Sequence, residues 1–170
     1  HARPGGRTFL MADVDVRAAL PEDHAFLAAC MGGLQEAEIE IEANRNSIDA
    51  SAEPHLNWVL DQVAAKEGAV FVAEYQGQRV GCLMCTVDED NGEYVKPKHR
   101  RYGYVNDVYV GQKARGTGVA DALMQAAEDF FRDKDLTNIR LGVLSENKRA
   151  RSFYERLGWH SYEQVYRKQL

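Results

Sequence analysis

The stretch that most constrains the fold runs from Tyr102 to Arg132, YGYVNDVYVGQKARGTGVADALMQAAEDFFR. Its first part, Val105 to Val110, is rich in β-branched and aromatic residues and reads as a strand. Gly111, Gly116 and Gly118 mark a turn. Beyond it Val119, Leu123, Ala126, Ala127, Phe130 and Phe131 recur at steps of three and four, which places them on one helical face. Asp121, Gln125, Glu128, Asp129 and Arg132 fall on the other. A strand that feeds a glycine turn and then a helix is a ready site for phosphate. The first helical amides have no intrahelical partner, and the helix dipole adds partial positive charge there. Glycine lets the backbone approach a ligand closely.

Three glycine patterns compete for this turn. Gly111 and Gly116 have the spacing of a Walker A loop, but Thr117 stands where that loop needs a lysine on the β- and γ-phosphates. Gly116 and Gly118 open a dinucleotide fingerprint, but Asp121 takes the third glycine's place, and its carboxylate would repel a pyrophosphate if it faced inward. Arg115-Gly116-Thr117-Gly118-Val119-Ala120 fits the third pattern, Arg/Gln-x-x-Gly-x-Gly/Ala, without a gap. It resembles the acetyl-coenzyme A loop of the GCN5-related N-acetyltransferases (GNAT).

A second stretch, SENKRARSFYERLGW from Ser145 to Trp159, strengthens the resemblance. Asn147, Ala150, Phe153, Tyr154, Gly158 and Trp159 stand in the register of that family's Asn-x-x-Ala-x-x-(Phe/Leu)-Tyr-x-x-x-Gly-(Phe/Trp). Two motifs in the right order, one strand apart, are far more specific than either alone. The likeness is good over Ala69 to Tyr162 and loose over Asp13 to Lys66.

The remaining elements follow from periodicity. Asp13 to Ala18 alternates like a strand. A helix begins at Pro21, buries Phe26, Leu27 and Met31, and is expected to stop at Gly32 and Gly33. Leu34 to Glu53 mixes strand-like alternation with helix formers and is read as irregular or partly helical. A second helix is predicted from Pro54 to Lys66, with Leu56, Val59, Leu60 and Val63 inward. Ala69 to Glu74 and Arg79 to Val87 form a hairpin around Gly77. Asp88 to Arg101 is a polar loop or hairpin tip. Asn138 to Val143 is a strand, Asn147 to Leu157 a short helix closed by Gly158, and Trp159 to Lys168 a terminal strand or strand pair.

This order describes one α/β domain over residues 11–170, a layered structure around one sheet. It agrees with what the resemblance implies: the GNAT acyl-CoA N-acyltransferase fold, a central mixed and mostly antiparallel sheet flanked by helices. Residues 1–10 are expected to lie outside it, as an added remnant, a mis-set start or a disordered N-terminus.

Composition narrows the partners. A formal net charge of −5 argues against a dedicated nucleic-acid or anionic-membrane binder. No apolar run approaches the roughly 20 residues of a membrane span, and no signal-peptide pattern is present. Three cysteines, an odd and sparse set, suit a reducing cytoplasm. Cys82 and Cys85 form a CxxC on a strand, where residues three apart face opposite ways, so no metal is expected.

What the resemblance implies about function is specific. Acetyl-CoA would be the acyl-donor substrate. Arg115 and the loop from Gly116 through Thr117, Gly118 and Val119 to Ala120 would hold its pyrophosphate. Val108, Tyr109 and Val110 would pair with the pantetheine arm as an added strand does, and Asn147 and Phe153 would touch the cofactor. At its position near a helix start, Asn147 also suits a plain helix cap. Tyr154 matches the family's general acid for the departing thiolate. The acceptor would be a primary amine of a small molecule or peptide, attacking directly in a ternary complex.

Amines are mostly protonated at neutral pH, so a base is needed. Asp107 is the candidate. Some relatives carry a glutamate at the neighbouring position, where Asn106 stands here, and asparagine cannot act as a base. Asn106 and Asp107 cannot both face the substrate unless a β-bulge intervenes. Tyr104, or a glutamate from Glu36 to Glu42 through water, is the substitute. Between Glu36 and Glu53 six acids face one Arg45, which suits a cationic acceptor as well as a solvated face. A catalytically silent acyl-CoA-binding or sensing module on the same fold is the alternative. Monomer and homodimer both stay open.

Overall fold

The computed structural model describes residues 13–170; the first ten residues, set aside above, lie outside the described residues. The strands are β1 (Val14–Ala18), β2 (Ala69–Tyr75), β3 (Gln78–Glu89), β4 (Arg101–Val110) and β5 (Ile139–Leu141). The helices are α1 (His24–Ile41), α2 (Ile48–Ala65), α3 (Val119–Asp133) and α4 (Lys148–Arg156). The strands lie side by side in chain order, antiparallel from β1 to β4, with β5 parallel to β4. The α3 crossover makes that last pairing parallel, and the sheet is mixed as expected.

Alternation along the strands builds a core on each face. Leu83, Cys85, Val87, Val105 and Ala73 point to α3, whose Val119, Leu123, Met124, Ala127 and Phe131 are buried against them. Val72, Cys82 and Met84 point to α1 and α2, against Leu27, Cys30, Met31, Leu56 and Val59. Each fully buried aliphatic side chain contributes about 1.5–3 kcal/mol, so both layers are held to the sheet by the same effect. Cys82 and Cys85 fall on opposite faces, as strand alternation requires.

Three local expectations are corrected. Gly32 and Gly33 do not stop α1, which runs on to Ile41. They let neighbours approach: a Cβ on Gly33 would stand 2.4 Å from the Tyr109 ring, and one on Gly32 would stand 3.2 Å from Ile48. The second helix does not begin at Pro54. Ser47 caps it, its hydroxyl accepting the Ala50 amide at 3.3 Å, and Asp49 sits in the first turn. Pro54 lies inside α2 and costs it one helical hydrogen bond. No strand forms over residues 159–170. β5 offers only three residues to pair with, and beyond Trp159 the apolar side chains of Val165 and Tyr166 are both about nine-tenths exposed.

The segment that was read as partly helical is helical up to Ile41 and again from Ile48, with a short loop between. Asp23, just before α1, is a fully buried carboxylate. Arg17 Nη1 and Nη2 donate to it at 2.7 and 3.1 Å, Arg79 Nη1 at 3.0 Å and the Leu20 amide at 2.8 Å. This clasp ties β1, β3 and the entry of α1 together. Among the described residues no helix is long and apolar enough to cross a membrane.

Candidate functional site

The sheet splits between β4 and β5. Gly103, Tyr104 and Val105 pair with Ile139, Arg140 and Leu141, and there the pairing ends. From residue 106 to residue 110, β4 is bonded to β3 alone, and its outer edge has no strand beside it. Such an edge presents backbone N–H and C=O groups to an extended ligand. The Tyr104 hydroxyl sits at the fork, 3.2 Å from where a Cβ on Gly142 would stand.

The open edge leads into the glycine turn. The Gly111 amide bonds the Val80 carbonyl at 2.7 Å, and a single 3-10 turn follows over Gln112–Ala114. Gly116 and Gly118 both take positive φ, +78° and +88°, which glycine adopts without strain. The Thr117 hydroxyl donates to the Ala114 carbonyl and braces the turn. Gly118 caps α3, so the amides of Val119, Ala120 and Asp121 open the helix without intrahelical partners. Asp121 does not turn toward the loop. Its carboxylate takes both terminal nitrogens of Arg156 on α4, at 3.0 and 3.2 Å, which keeps the negative charge away from the helix mouth. Arg115 Nε lies 3.3 Å from the Val110 carbonyl, and its guanidinium stands exposed beside the turn.

Asn106 and Asp107 sit on a β-bulge. Met84 pairs with Asp107 and Cys85 with Val105, so Asn106 is the extra residue on β4. Its Oδ1 accepts from the buried Thr86 hydroxyl at 3.1 Å. Asp107 turns the other way, toward α2. His55 Nε2 lies 3.0 and 3.1 Å from its two carboxylate oxygens. Asp107 draws the His55 pKa above its ordinary value by hydrogen bonding, against the opposing effect of burial, with smaller raising effects from the Asp107 and Glu38 charges. Trp58, one turn along α2, stacks on the imidazole with ring centroids 5.8 Å apart and an interplanar angle of 28°.

The α4 residues line the opposite side. Asn147 caps the helix, its Oδ1 accepting the Ala150 amide at 3.1 Å, so the plain cap reading is what the geometry shows. Phe153 and Tyr154 pack with Trp159 against the α3-side core, as do Val108 and Val110. Burial raises the Tyr154 phenol above its ordinary pKa. Tyr109, by contrast, faces α1 and packs with the other core.

The fold therefore brings the turn, the open β4 edge and α4 together, with Asp107 and Tyr154 on opposite faces of the sheet. His55 escapes sequence reading. It lies 52 residues from Asp107, and its local pattern is that of an ordinary exposed helix position. The acidic run is partly neutralised: Glu38 pairs with Arg45 and Glu42 with Arg167 at 2.9 Å, while His24 Nε2 lies 2.6 Å from the Glu53 carboxylate. Among the described residues no three His, Cys, Asp or Glu side chains are grouped to hold a metal ion.

Comparison with known proteins agrees with this geometry. The family model described as "Acetyltransferase (GNAT) family" matches residues 34–159. N-alpha-acetyltransferase 30 of Schizosaccharomyces pombe is 32% identical over 97 residues, which are 57% of this chain and 61% of that protein. The chain spans between 40% and 63% of the length of the curated relatives it matches. Among solved structures, a GCN5-related N-acetyltransferase from Ralstonia eutropha JMP134 superposes with a TM-score of 0.72 at 20% identity, over 92% of this chain and 98% of that one. Aminoglycoside N-acetyltransferase AAC(6')-Iy, solved in complex with CoA, gives 0.69 at 19% identity, over 92% and 95%.

Proposed function

The chain belongs to the acetyltransferase (GNAT) family, and on that premise we propose that it transfers an acetyl group from acetyl-CoA to a primary amine of a small molecule or peptide, by direct attack in a ternary complex. The observation that carries this is the forked sheet. Its open 106–110 edge runs straight into a helix start whose first amides have no intrahelical partners and whose Asp121 carboxylate is engaged by Arg156. That combination suits one ligand with an amide-bearing arm and a pyrophosphate.

The roles follow from position. Val108, Tyr109 and Val110 offer backbone groups to the pantetheine arm. The amides from Gly116 to Ala120, with the guanidinium of Arg115, receive the pyrophosphate, and Phe153 walls the cleft on the α4 side. Asn147 does both jobs: its Oδ1 caps α4, and its side-chain NH2 is left to touch the cofactor. Asp107 faces the α1–α2 side and Tyr154 the α3–α4 side. The amine enters from the first and sheds its proton there. The sulfur leaves toward the second, where a phenol that burial keeps protonated can donate to it. The cofactor reading likewise rests on this cleft and on the CoA named for one structural neighbour.

The acceptor side is acidic. Asp107 and, beyond its pairing with Arg45, Glu38 act on His55, and the exposed ring of Trp58 stacks on that imidazole, which suits a cationic amine carrying an apolar portion. A panel of cationic and neutral primary amines, assayed by thiol release from acetyl-CoA, tests the reading. Transfer is expected, with cationic amines preferred. Tight acetyl-CoA binding with no transfer to any amine would favour a silent binding module instead.

Gly116 offers a second test. No heavy atom lies within 4 Å of where its Cβ would stand, so alanine there meets only the cost of its +78° backbone. That cost is about 1–2 kcal/mol. The Gly116→Ala variant is expected to stay folded and to bind CoA about tenfold more weakly by titration calorimetry, a loss of about 1.4 kcal/mol. Equal affinity would move the pyrophosphate off this loop.

A further inference from the structure

Asn106 stands where some relatives carry a glutamate, and its Oδ1 lies 3.1 Å from the Thr86 hydroxyl, on the side away from His55. The bulge that Asn106 creates turns Asp107 to the acceptor side, where it meets His55 rather than open solvent. The Asp107 side chain is only 13% exposed, whereas His55 is 42% exposed. The carboxylate thus lies behind the imidazole as seen from solvent. Asp107 holds Nε2 from β4 and Trp58 stacks on one face of the ring, so the imidazole is fixed in plane and in tautomer. With Nε2–H donated to Asp107, Nδ1 carries the lone pair.

From this arrangement we infer that His55 is the proton acceptor for the incoming ammonium and that Asp107 is its positioning residue. The inference rests on the acetyl-transfer reading above. Nδ1 takes one proton from the ammonium, directly or through one water. The amine nitrogen then attacks the thioester carbonyl, the N–C bond forms and the C–S bond breaks. The second amine proton leaves to water, Tyr154 gives its proton to the thiolate and regains one from water. The net products are an amide, a thiol and one released proton. The charged groups that bear on His55 are Asp107 of β4 and Glu38 of α1. On β3 the neighbouring Cys82 thiol is pushed up by its hydrogen bond with Cys30 and by burial, and stays neutral.

A raised imidazole pKa has two effects here. It makes Nδ1 a stronger base, and it moves the acid side of the activity profile upward, because the ring must be neutral to act. The test compares wild type with His55→Gln and Asp107→Asn. It measures acetyl-CoA affinity, kcat/KM from pH 5 to 9, and the His55 imidazole titration by NMR. Expected for wild type is an acid limb above the ordinary histidine value of about 6.5. Asp107→Asn should lower that limb and the NMR pKa together. His55→Gln should cut kcat/KM at neutral pH by about 100-fold, remove the limb and leave acetyl-CoA affinity unchanged. Imidazole added to a His55→Ala variant should restore part of the rate.

An active wild type whose His55→Gln variant keeps the rate and the limb overturns this inference alone. A wild type that binds acetyl-CoA and acetylates no amine overturns the acetyl-transfer reading and this inference with it.

Discussion

Replacing Tyr154 by phenylalanine is expected to lower turnover about 100-fold, the low end of what a positioned general acid contributes, while acetyl-CoA affinity and melting temperature stay at wild-type values. The ring itself is structural. It meets Phe153 with centroids 5.2 Å apart and Trp159 at 5.9 Å, and it packs on the α3-side core. Phenylalanine keeps all of that and removes one oxygen. Burial raises the phenol above its ordinary pKa, so the group is protonated at neutral pH and can hydrogen-bond the sulfur as negative charge develops on it, passing on its proton as the C–S bond breaks. The check is kcat at saturating amine and acetyl-CoA. A turnover equal to wild type would take Tyr154 out of the mechanism and leave it a packing residue.

The second large effect concerns stability. Asp23→Ala is expected to destabilise the fold by about 3 kcal/mol, the lower end for removing one partner of a buried ion pair. Arg17 and Arg79, at 29% and 43% side-chain exposure, can partly rehydrate, which keeps the figure at that end. In a chain of 170 residues this corresponds to a melting temperature about 10 °C lower. The pH dependence has a definite sign. Arg17 above all, then the Leu20 amide and Arg79, hold the Asp23 carboxyl well below the usual carboxylate range against the cost of burial. Its stabilisation is therefore complete above the unfolded value of about 3.9. It is lost as pH falls through the lower folded value. The melting-temperature gap between wild type and Asp23→Asn should be constant from pH 5 to 8 and close in stronger acid. A gap that stayed constant at pH 3 would show that the charge of Asp23 is not what stabilises the clasp.

Some of this was readable from the chain alone because the information is local. The apolar stripe of α3, its glycine turn and the α4 motif each lie within about one element, and the fold keeps them as read. The bulge was readable as a condition: Asn106 and Asp107 could not both be used without one, and the pairing places it there. Its partner was not readable, because His55 reaches Asp107 only through tertiary packing of α2 on the sheet. Gly32 and Gly33 were misread for a physical reason. Glycine serves helix stops and close approaches alike, and only the neighbours, Tyr109 and Ile48, tell which. Pro54 misled in the same way, since the Ser47 cap lies a full two turns earlier. The tail beyond Trp159 has strand-forming residues but only a three-residue strand beside which to lie.

The α1–α2 pair is threaded between two strands that already lie side by side. The chain leaves the sheet after Ala18 and returns at Ala69, and the Ala19 amide still bonds the Val70 carbonyl at 2.9 Å. Topologically this is a cassette: entry and exit adjoin, and the β1–β2 ladder closes beneath it. Exchanging such a unit would leave the sheet and the glycine turn uncut but would take Asp23 out of its clasp with Arg17 and Arg79. Under the proton-transfer scheme inferred above, a swap would carry away His55 and the acidic wall while Asp107 stayed behind.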